Sequence, residues 1–431
     1  MAAQEFSAHN PDMQAVDLAE KRGEKAVNTK LARNDSNVPY PTLDNVLVIF
    51  ENDPALQGIS QLNEFHLSAF IMRPPPSSEL AVHMLPGPYP RPWTDVDKSF
   101  ILAYIQRKWI SKATAGQIND AIHAVAAINR FHPIRDWLKT LRWDGIRRLD
   151  TWLHNAFGAE DTPYHRDVGV KTLVASVRRV FRPGCKFDHM PILEGLQGIG
   201  KSSGIKALYG EKFFSDSIAH DLSSKDAAIN LKGVWAVEMA EIGQLRRNEV
   251  EVIKAYITRQ VDKFRAPYDK EDTIRPRQNI FWGTTNSSTY LHDATGNRRF
   301  WPISCTRSDV AWIIENRDQL WAEAVAIEDA GEPLWLESED AAQLAHDIQA
   351  SRVDDEDVWD SKVSEYAQGK TTISIADFLE TKLSIFPGQQ DKRHQMRVAA
   401  ILKRLGWERK TMRVNGGVTK TWVQKDAVTT P

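Results

Sequence analysis

The sequence predicts an α/β protein with a phosphate-binding loop in its core, a mainly helical region before that core and a winged-helix-like region after it. Three observations carry this prediction. From Met190 onward, short apolar runs alternate with glycine turns and helical patterns, which is typical of a strand-helix-strand sheet. Residues 195–202 read GLQGIGKS, between an apolar run and a helical pattern. After about residue 365, two helical patterns precede a hairpin that turns at Gly416 and Gly417.

The composition is that of a globular protein and excludes wholesale disorder. The chain has 431 residues, enough for about three domains, with 42% hydrophobic and 26% charged residues. It has no apolar run of the roughly 18 residues that cross a bilayer and no signal peptide, so we expect a cytoplasmic protein without a membrane partner. Its two cysteines, Cys185 and Cys305, exclude a disulfide framework and a cysteine-rich zinc site. We therefore expect any metal ion to bind together with a ligand.

The N-terminal region divides into a tail and a domain. Residues 1–38 contain eleven charged side chains and almost no large apolar ones, so we expect a disordered tail. The domain is predicted over residues 39–160 and is mainly helical. Near its start, the run VLVIF after Asn45 is short and β-branched, which predicts a strand. A connector follows from Pro74 to Pro92 that holds seven of the 21 prolines.

Two helices are predicted in the rest of this domain. The first begins at Thr94, which forms a capping-box pattern with Asp97 three residues later. The second covers Gln117–Asn129, where apolar residues recur at helical spacing. We expect the same domain to continue through four large apolar residues, Trp137, Leu141, Trp143 and Trp152.

The phosphate-binding loop lies in a core predicted over residues 161–336. Its string matches GxxxxGK[ST], in which glycines let backbone N–H groups converge on phosphate oxygens at a helix N-terminus. We expect Lys201 to face solvent and the β and γ phosphates of ATP, and the Ser202 hydroxyl to ligate Mg²⁺. A glycine-rich helix entry without a ligand is the alternative. The expected nucleotide-binding residues are Gly195, Gly198, Ile199, Gly200, Lys201, Ser202 and Ser203.

Polar residues follow two later apolar runs. Glu238 comes at the end of GVWAVE, where an acid can hold Mg²⁺ and polarise a water. Glu241 follows three residues later, so either acid is a candidate base, and Glu241 can also be an ordinary surface residue. Asn286 ends the run NIFWGTTN, where an amide can orient the attacking water or contact the γ-phosphate, or simply cap a turn.

Two arginines follow a glycine turn in the string ATGNRRFW. Arg298 and Arg299 are always protonated and offer planar forks of donors that suit phosphoryl charge. They are either ordinary surface charge or a catalytic arginine finger that acts on a neighbouring subunit. We favour the finger because a phosphate-binding loop lies upstream.

Seven strings in order resemble the virulence-associated protein E family, which belongs with the superfamily 3 helicase-like ATPases of phages, prophages and mobile genomic islands. The resemblance extends from about Asn45 to Leu336. It is carried by FHPIRDWL (131–138), WDGIRRLD (143–150), PGCK (183–186), EGLQGIGKSS (194–203), VDKFRAPYDK (261–270), FWGTTN (281–286) and TGNRRFWPI (295–303).

This resemblance implies an AAA+-like core that assembles into a ring, often a hexamer, with ATP at subunit junctions and single-stranded DNA in the channel. Matched by position, the catalytic set is Lys201, Glu238, Glu241, Asn286, Arg298 and Arg299, with Ser202 and Glu238 on Mg²⁺. The resemblance also implies a DNA-gripping basic loop, which here carries Lys263, Arg265, Tyr268 and Lys270. These four residues could instead brace the ATP site.

The C-terminal third is predicted as an acidic linker (337–364) and a basic winged-helix-like domain (365–431). The linker is expected to be a solvated helix and connector; a surface that repels nucleic acid is the alternative. From Lys392 to Lys425 there are ten Lys and Arg against one acid, which favours DNA binding over an ordinary basic patch. The candidate DNA contacts are Arg397, Lys403, Arg404, Arg409, Lys410, Arg413 and Lys420.

These patterns together favour an ATP-driven DNA helicase or translocase for replication of a phage or mobile element. Two other functions stay open: a DNA-stimulated NTPase switch in defence or mobile-element interference, and an origin-binding protein whose nucleotide only controls assembly. The expected partners are single-stranded DNA, duplex origin DNA, further copies of the chain, and a separate primase or host replication proteins. Priming by this chain alone is not expected, because the sequence has neither a zinc-type cysteine cluster nor a paired-acid polymerase motif.

Overall fold

The computed structural model describes residues 11–76, 87–217, 222, 225–245, 247–264, 273–291, 296–353, 359–414 and 417–424. The chain divides into two compact units. The first comprises Met1–Ser288 with Arg298–Gln349, and the second Thr289–Asn297 with Ala350–Pro431. No helix in the described part of the chain is long and apolar enough to cross a membrane.

The first unit begins with a small α/β layer. Its elements are α1 (Pro11–Lys30), α2 (Leu43–Asn52), β1 (Ser60–Asn63), β2 (Ser68–Ile71), β3 (Arg91–Pro92), α3 (Asp95–Lys108), α4 (Ala115–Ile128) and β4 (Arg130–Phe131). The strands form one sheet in the order β3-β2-β1-β4. Capping boxes at Thr94 and Thr114 begin α3 and α4, as the sequence predicts for the first of them.

The structure corrects two expectations in this layer. Residues 11–30 of the predicted tail form α1, and Val27 and Leu31 are buried in the small core. The run VLVIF belongs to a helix, α2, whose N-cap Thr42 accepts a hydrogen bond from the Asn45 N–H. Burial of a helical face outweighs the β propensity of this short apolar run.

A five-stranded parallel sheet forms the centre of the first unit. Its strands are β5 (Met190–Glu194), β6 (Phe214–Ser215), β7 (Ala236–Met239), β10 (Ile280–Thr285) and β11 (Phe300–Ser304), in the order β11-β5-β10-β7-β6. Around it lie α5 (Pro133–Thr140), α6 (Trp152–Phe157), α7 (Pro163–Phe181), α8 (Lys201–Tyr209), α9 (Lys225–Asn230), α10 (Arg247–Ile257) and α11 (Val310–Asp329). The predicted mixed α/β class with a parallel sheet is therefore confirmed.

Large aromatic side chains fill the core around this sheet. Five tryptophans are fully buried: Trp152, Trp235, Trp282, Trp301 and Trp321. Leu138 and Trp152 belong to this core and not to the small N-terminal one, while Trp143 stays 39% exposed. The predicted boundary at residue 160 therefore falls inside the central core.

The predicted acidic linker is also partly a packed element. Its first half forms α12 (Glu339–Ala350), whose Ala345 is buried in the central core. Gln349 donates a 2.8 Å hydrogen bond to the carbonyl of Phe300 at the start of β11. The acidic residues occupy the other faces of this helix, so the composition alone suggested a connector.

A two-stranded hairpin, β8 (Val261–Phe264) with β9 (Thr273–Pro276), precedes β10. Its base is held by a buried bidentate ion pair between Asp262 and Arg277, at 2.7 and 2.8 Å. Because only three residues separate β9 from β10, the hairpin leaves the amino end of the central sheet.

The second unit has its own small core. Its elements are α13 (Asp360–Ala367), β12 (Thr372–Ile373), α14 (Ile375–Leu383), α15 (Lys392–Arg404), β13 (Trp407–Val414) and β14 (Gly417–Gln424). The strands form a sheet in the order β12-β14-β13. The two predicted helices and the hairpin are present, and α13 joins their core through Val363, so the predicted domain start at 365 falls within a helix of this unit.

Candidate active site

The loop between β5 and α8 combines glycines in the left-handed region with the N-terminus of a helix. Gly198 and Gly200 have φ of 83° and 90°, in the left-handed region that favours glycine. A Cβ atom on Gly195 would lie 2.5 Å from the carbonyl oxygen of Cys305, so a side chain is excluded there. α8 begins directly after the loop at Lys201, and its N-terminal N–H groups suit an anion. Ile199 packs against the central core and anchors the loop.

Lys201 lies under this loop and does not face solvent, which corrects the expectation from sequence. Its side chain is 8% exposed, and its ammonium group donates to the carbonyls of Gly195 (2.7 Å) and Leu196 (3.0 Å) and to Asn286 Oδ1 (2.9 Å). Burial lowers the pKa of Lys201, while nearby Cys305 and the two acids of the site oppose this shift. The ammonium therefore occupies a satisfied position from which it must be released to contact a phosphate.

Glu238 lies on β7 at the centre of the site and is 1% exposed. Its Oε1 accepts hydrogen bonds from the hydroxyls of Ser202 and Thr284, both at 2.6 Å. Its other oxygen, Oε2, is buried without a hydrogen-bond partner. A buried carboxylate oxygen that lacks a donor, next to a serine hydroxyl, fits a hard cation such as Mg²⁺.

Asn286 connects the loop to the second acid. While its Oδ1 accepts from Lys201, its Nδ2 donates to Glu241 Oε1 at 3.1 Å. Glu241 is exposed, has φ of 54°, and also accepts from Gln244. The structure therefore brings Lys201, Glu238, Glu241 and Asn286 to one edge of the sheet.

The order of the strands explains this convergence. β10, which ends at Asn286, lies between β5 and β7, and all three strands are parallel. Their carboxyl ends therefore meet at one edge. A cleft of about 320 Å³ opens there, lined by Gln197, Gly198, Gly200, Lys201, Ser202, Ser203, Ala240, Glu241, Thr284, Thr285 and Asn286.

Arg298 and Arg299 do not lie at this edge. They directly precede β11, whose first residue, Phe300, pairs with Met190 at the amino end of β5. The carbonyl of Arg298 accepts a 3.1 Å hydrogen bond from His189. The length of β5, about 13 Å, thus separates the arginines from the loop of their own chain.

The predicted DNA-binding residues are only partly described. Lys263 is exposed on β8, while Arg265, Tyr268 and Lys270 lie outside the described residues. On α15, the guanidinium of Arg397 lies 4.1 Å from the ring centroid of Trp359, and Lys403 is exposed. On β13, Arg409 is exposed and Lys410 pairs with Glu408 at 2.5 Å. The side chains of Arg404, Arg413 and Lys420 are outside the described set.

Sequence reasoning missed two contributors to the site. Thr284 donates a hydrogen bond to Glu238, and the available signal was its position in the polar end of FWGTTN, two residues before Asn286. The segment after β11 also packs on the loop, since a Cβ on Gly200 would lie 3.3 Å from Ser308. Nothing in the sequence near Ser308 indicates this contact, which depends on how β11 pairs with β5.

Comparison with known proteins places the chain in a family. No curated protein matches it. Among solved structures, the apo structure of the NrS-1 C-terminal region (305-718) is similar, with 14% identity, a TM-score of 0.39, and coverage of 67% of this chain and 78% of that chain. The A form apo structure of that region gives 13% identity, a TM-score of 0.38 and the same coverage. Residues 138–354, just over half of the sequence, match the virulence-associated protein E-like domain. The chain therefore belongs to the virulence-associated protein E-like family, which confirms the resemblance seen in its motifs.

Proposed function

We propose that the protein is an ATP-driven motor that moves along DNA during replication of a phage or mobile genetic element. The observation that carries this proposal is Glu238, with one oxygen bonded to Ser202 and Thr284 and the other buried without a partner, beside the 195–202 loop. Such an oxygen is costly unless a ligand satisfies it. In a site that hydrolyses a nucleotide, the metal bound with that nucleotide would satisfy this oxygen.

In this proposal the loop and the N-terminus of α8 bind the phosphates of ATP. Lys201 would exchange its two loop carbonyls for phosphate oxygens. Ser202 and Glu238 would hold Mg²⁺, which would neutralise phosphate charge. Asn286, released by Lys201, orients the attacking water. Glu241 is exposed at the cleft and Glu238 is buried beside it, so both remain candidates for the base.

A second subunit completes the site in this proposal. The arginines lie at the amino end of β5 and the loop at its carboxyl end, so Arg298 or Arg299 can reach a nucleotide only on a neighbouring copy. A head-to-tail contact of this kind generates a closed ring when its rotation closes. A hexamer is the form expected from the family resemblance.

DNA contacts are assigned to two elements. The β8–β9 hairpin, which carries Lys263, is proposed to grip single-stranded DNA. The second unit, with exposed Lys403 and Arg409, is proposed to act as a winged helix that holds duplex origin DNA. A separate primase or host replication proteins are the further partners in this proposal.

The test is ATP turnover as a function of protein concentration, with and without single-stranded DNA. A motor whose sites form between subunits should show turnover per chain that rises with concentration and is stimulated by DNA. Strand displacement then separates a motor from a DNA-stimulated switch. Absence of turnover at every concentration would leave the nucleotide-controlled origin-binding protein.

A further inference from the structure

The turn before β11 presents its two arginines differently. Asn297–Arg299 form a single 3₁₀ turn, and the strand begins at the next residue, Phe300. Arg298 is exposed and lines a cavity of about 540 Å³, whereas Arg299 is half-buried with its Nε out of contact with solvent. Among the described residues, none accepts a hydrogen bond from the Arg298 guanidinium. Of the two, Arg298 is therefore the arginine whose charge is available to a second molecule.

His189 holds the backbone of Arg298. This histidine directly precedes β5, and its Nδ1 lies 3.1 Å from the carbonyl oxygen of Arg298. Because a carbonyl only accepts, the imidazole donates this hydrogen bond and carries a proton on Nδ1. The strands pair from Phe300 and Met190 onward, so the hydrogen bond extends the contact between β11 and β5 to the residues before them. The peptide group of Arg298 is thereby tied to the amino end of a central strand.

Two aromatic rings hold the imidazole of His189 in place. It stacks on Trp301, the second residue of β11, with 4.2 Å between the ring centroids and 12° between the ring planes. Phe187 packs edge-on against both rings, at 5.6 Å from His189 and 5.7 Å from Trp301. Trp301 and Phe187 are themselves buried. The packing therefore fixes the plane of the imidazole and the direction in which Nδ1 donates.

The imidazole adds no charge beside the arginines at neutral pH. Burial lowers the pKa of His189, and the charges of Arg298 and Arg299 act in the same direction, while Asp188 opposes the shift. The Nε2 atom lies 3.9 Å from Asp188 Oδ1. The neutral imidazole still donates from Nδ1, and it does not repel the guanidinium of Arg298.

We propose that His189 is a positioning residue for the arginine finger and that Arg298, not Arg299, is the arginine that enters the cleft of a neighbouring copy. A catalytic group must be held within about 0.5 Å of its productive position, and a misplacement of about 1 Å can cost about 100-fold in rate. The side chain of arginine is long and flexible, so a fixed peptide group lowers the entropy that it loses on reaching a phosphate. The finger belongs to the proposed function, so this assignment rests on that proposal.

The first measurement is ATP turnover of His189→Phe, which keeps an aromatic ring for the stack on Trp301 and removes the donor. The kcat should fall by about 10- to 100-fold while the KM for ATP stays the same, because the cleft of the variant's own chain is intact. His189→Asn, whose amide can donate to the same carbonyl, should recover most of the rate. His123→Phe, at an exposed position on α4, is the control. Turnover of His189→Phe equal to that of the control overturns the proposal.

Mixed oligomers distinguish a role in trans from a general loss of stability. His189→Phe subunits have an intact cleft, so Lys201→Ala subunits, which have an intact finger, should restore part of their turnover. Subunits with Arg298→Ala and Arg299→Ala should restore nothing, since neither partner then supplies a positioned finger. Recovery with the arginine variant, or no recovery with the lysine variant, would place the effect of His189 in the cleft of its own chain and overturn the proposal.

Single arginine variants test the choice between the two arginines. Arg298→Ala should lower turnover by about 10³–10⁵-fold, the loss expected when a finger is removed. Arg299→Ala should lower turnover much less, because the half-buried side chain of Arg299 stays with its own chain. An equal or larger loss in Arg299→Ala, with the free energy of unfolding unchanged, overturns the assignment of Arg298.

Labelling with phenylglyoxal, followed by peptide mass spectrometry, tests the same contact without hydrolysis. Arg298 should be modified in dilute protein, because it is exposed, and protected where the chain oligomerises with a non-hydrolysable ATP analogue. Protection should be reduced in His189→Phe and retained in His123→Phe. Full protection in His189→Phe overturns the positioning role. Protection in a wild-type protein that does not turn over ATP would instead overturn the motor and support the contact, so the two failures give different results.

Discussion

The two ends of the central parallel sheet are built from different chemistry. At the carboxyl end, Lys201, Glu238 and Asn286 are bonded to one another or to the 195–202 loop, in a cleft of about 320 Å³. At the amino end, Arg298 is exposed directly before β11, and its carbonyl accepts a hydrogen bond from His189. One end thus gathers a lysine, an amide and an acid around the loop, with Glu238 Oε2 left without a donor, and the other presents an exposed arginine. In the proposed motor, the first end hydrolyses ATP and the second meets a neighbouring subunit and DNA.

The largest loss of ATP turnover is expected from replacing the two arginines at the amino end, which act on another chain in this proposal. Arg298→Ala with Arg299→Ala should reduce ATP turnover by about 10³–10⁵-fold, as expected for loss of an arginine finger. ATP binding should persist, because the arginines are distant from the cleft of their own chain. Mixing this variant with Lys201→Ala subunits should restore part of the activity, measured in verified mixed oligomers, because some interfaces then receive both intact halves. If mixing restores nothing, the arginines act within their own subunit.

A smaller effect is expected for the buried acid of the carboxyl end. Glu238→Gln should slow hydrolysis by about 10²–10⁴-fold, because an amide keeps the shape of the side chain but cannot act as a base. ATP binding should be retained in an equilibrium assay with a fluorescent analogue. Glu241→Gln is the matched variant. A larger loss in that variant would move the base to Glu241.

Lys201→Ala should lower turnover by about 10²–10³-fold or more through loss of one charged donor to the phosphates. The variant also leaves the carbonyls of Gly195 and Leu196 without their donor, which should lower the free energy of unfolding by about 1–2 kcal/mol. Denaturant unfolding and turnover measured on one preparation separate the two effects. A much larger loss of stability would mean that Lys201 has mainly a structural role.

Thr284→Val tests whether the hydrogen bond that Thr284 donates to Glu238 positions this carboxylate. Removing one hydrogen bond of about 0.5–1.5 kcal/mol should reduce turnover roughly two- to tenfold and raise the Mg²⁺ concentration needed for half-maximal rate. Thr284→Ser, which keeps the hydroxyl, should restore both quantities. An unchanged Mg²⁺ dependence in Thr284→Val would leave Thr284 without a positioning role.

The smallest effect on turnover is expected for the second unit. Lys403→Ala and Arg409→Ala should each lower the salt slope of duplex binding by about 0.9 and leave turnover without DNA unchanged. Lys362→Ala, also exposed in this unit but outside the basic segment, is the control. Unchanged slopes in both variants would remove the DNA-binding role from this unit.

The sequence predicts local structure correctly where contacts among a few neighbouring residues determine it. The capping box at Thr94, the loop before Lys201 and the hairpin of the second unit all depend on contacts within a short stretch of chain. The predictions of secondary structure and order were wrong where contacts with residues far away in the sequence determine the structure. VLVIF became a helix because its face packs into the small core, and α1 and α12 are ordered by partners that their composition does not reveal.

The sequence by itself determined the family. It also located the GxxxxGK[ST] string and the polar residues at the end of β10 and on and after β7. Tertiary structure alone decided how these residues meet. Insertion of β10 between β5 and β7 brings Asn286 to Lys201 and Thr284 to Glu238, and pairing of β11 with β5 carries the arginines to the opposite end. Strand order is set by packing among residues far apart in the chain, and a single sequence carries no local signal for it.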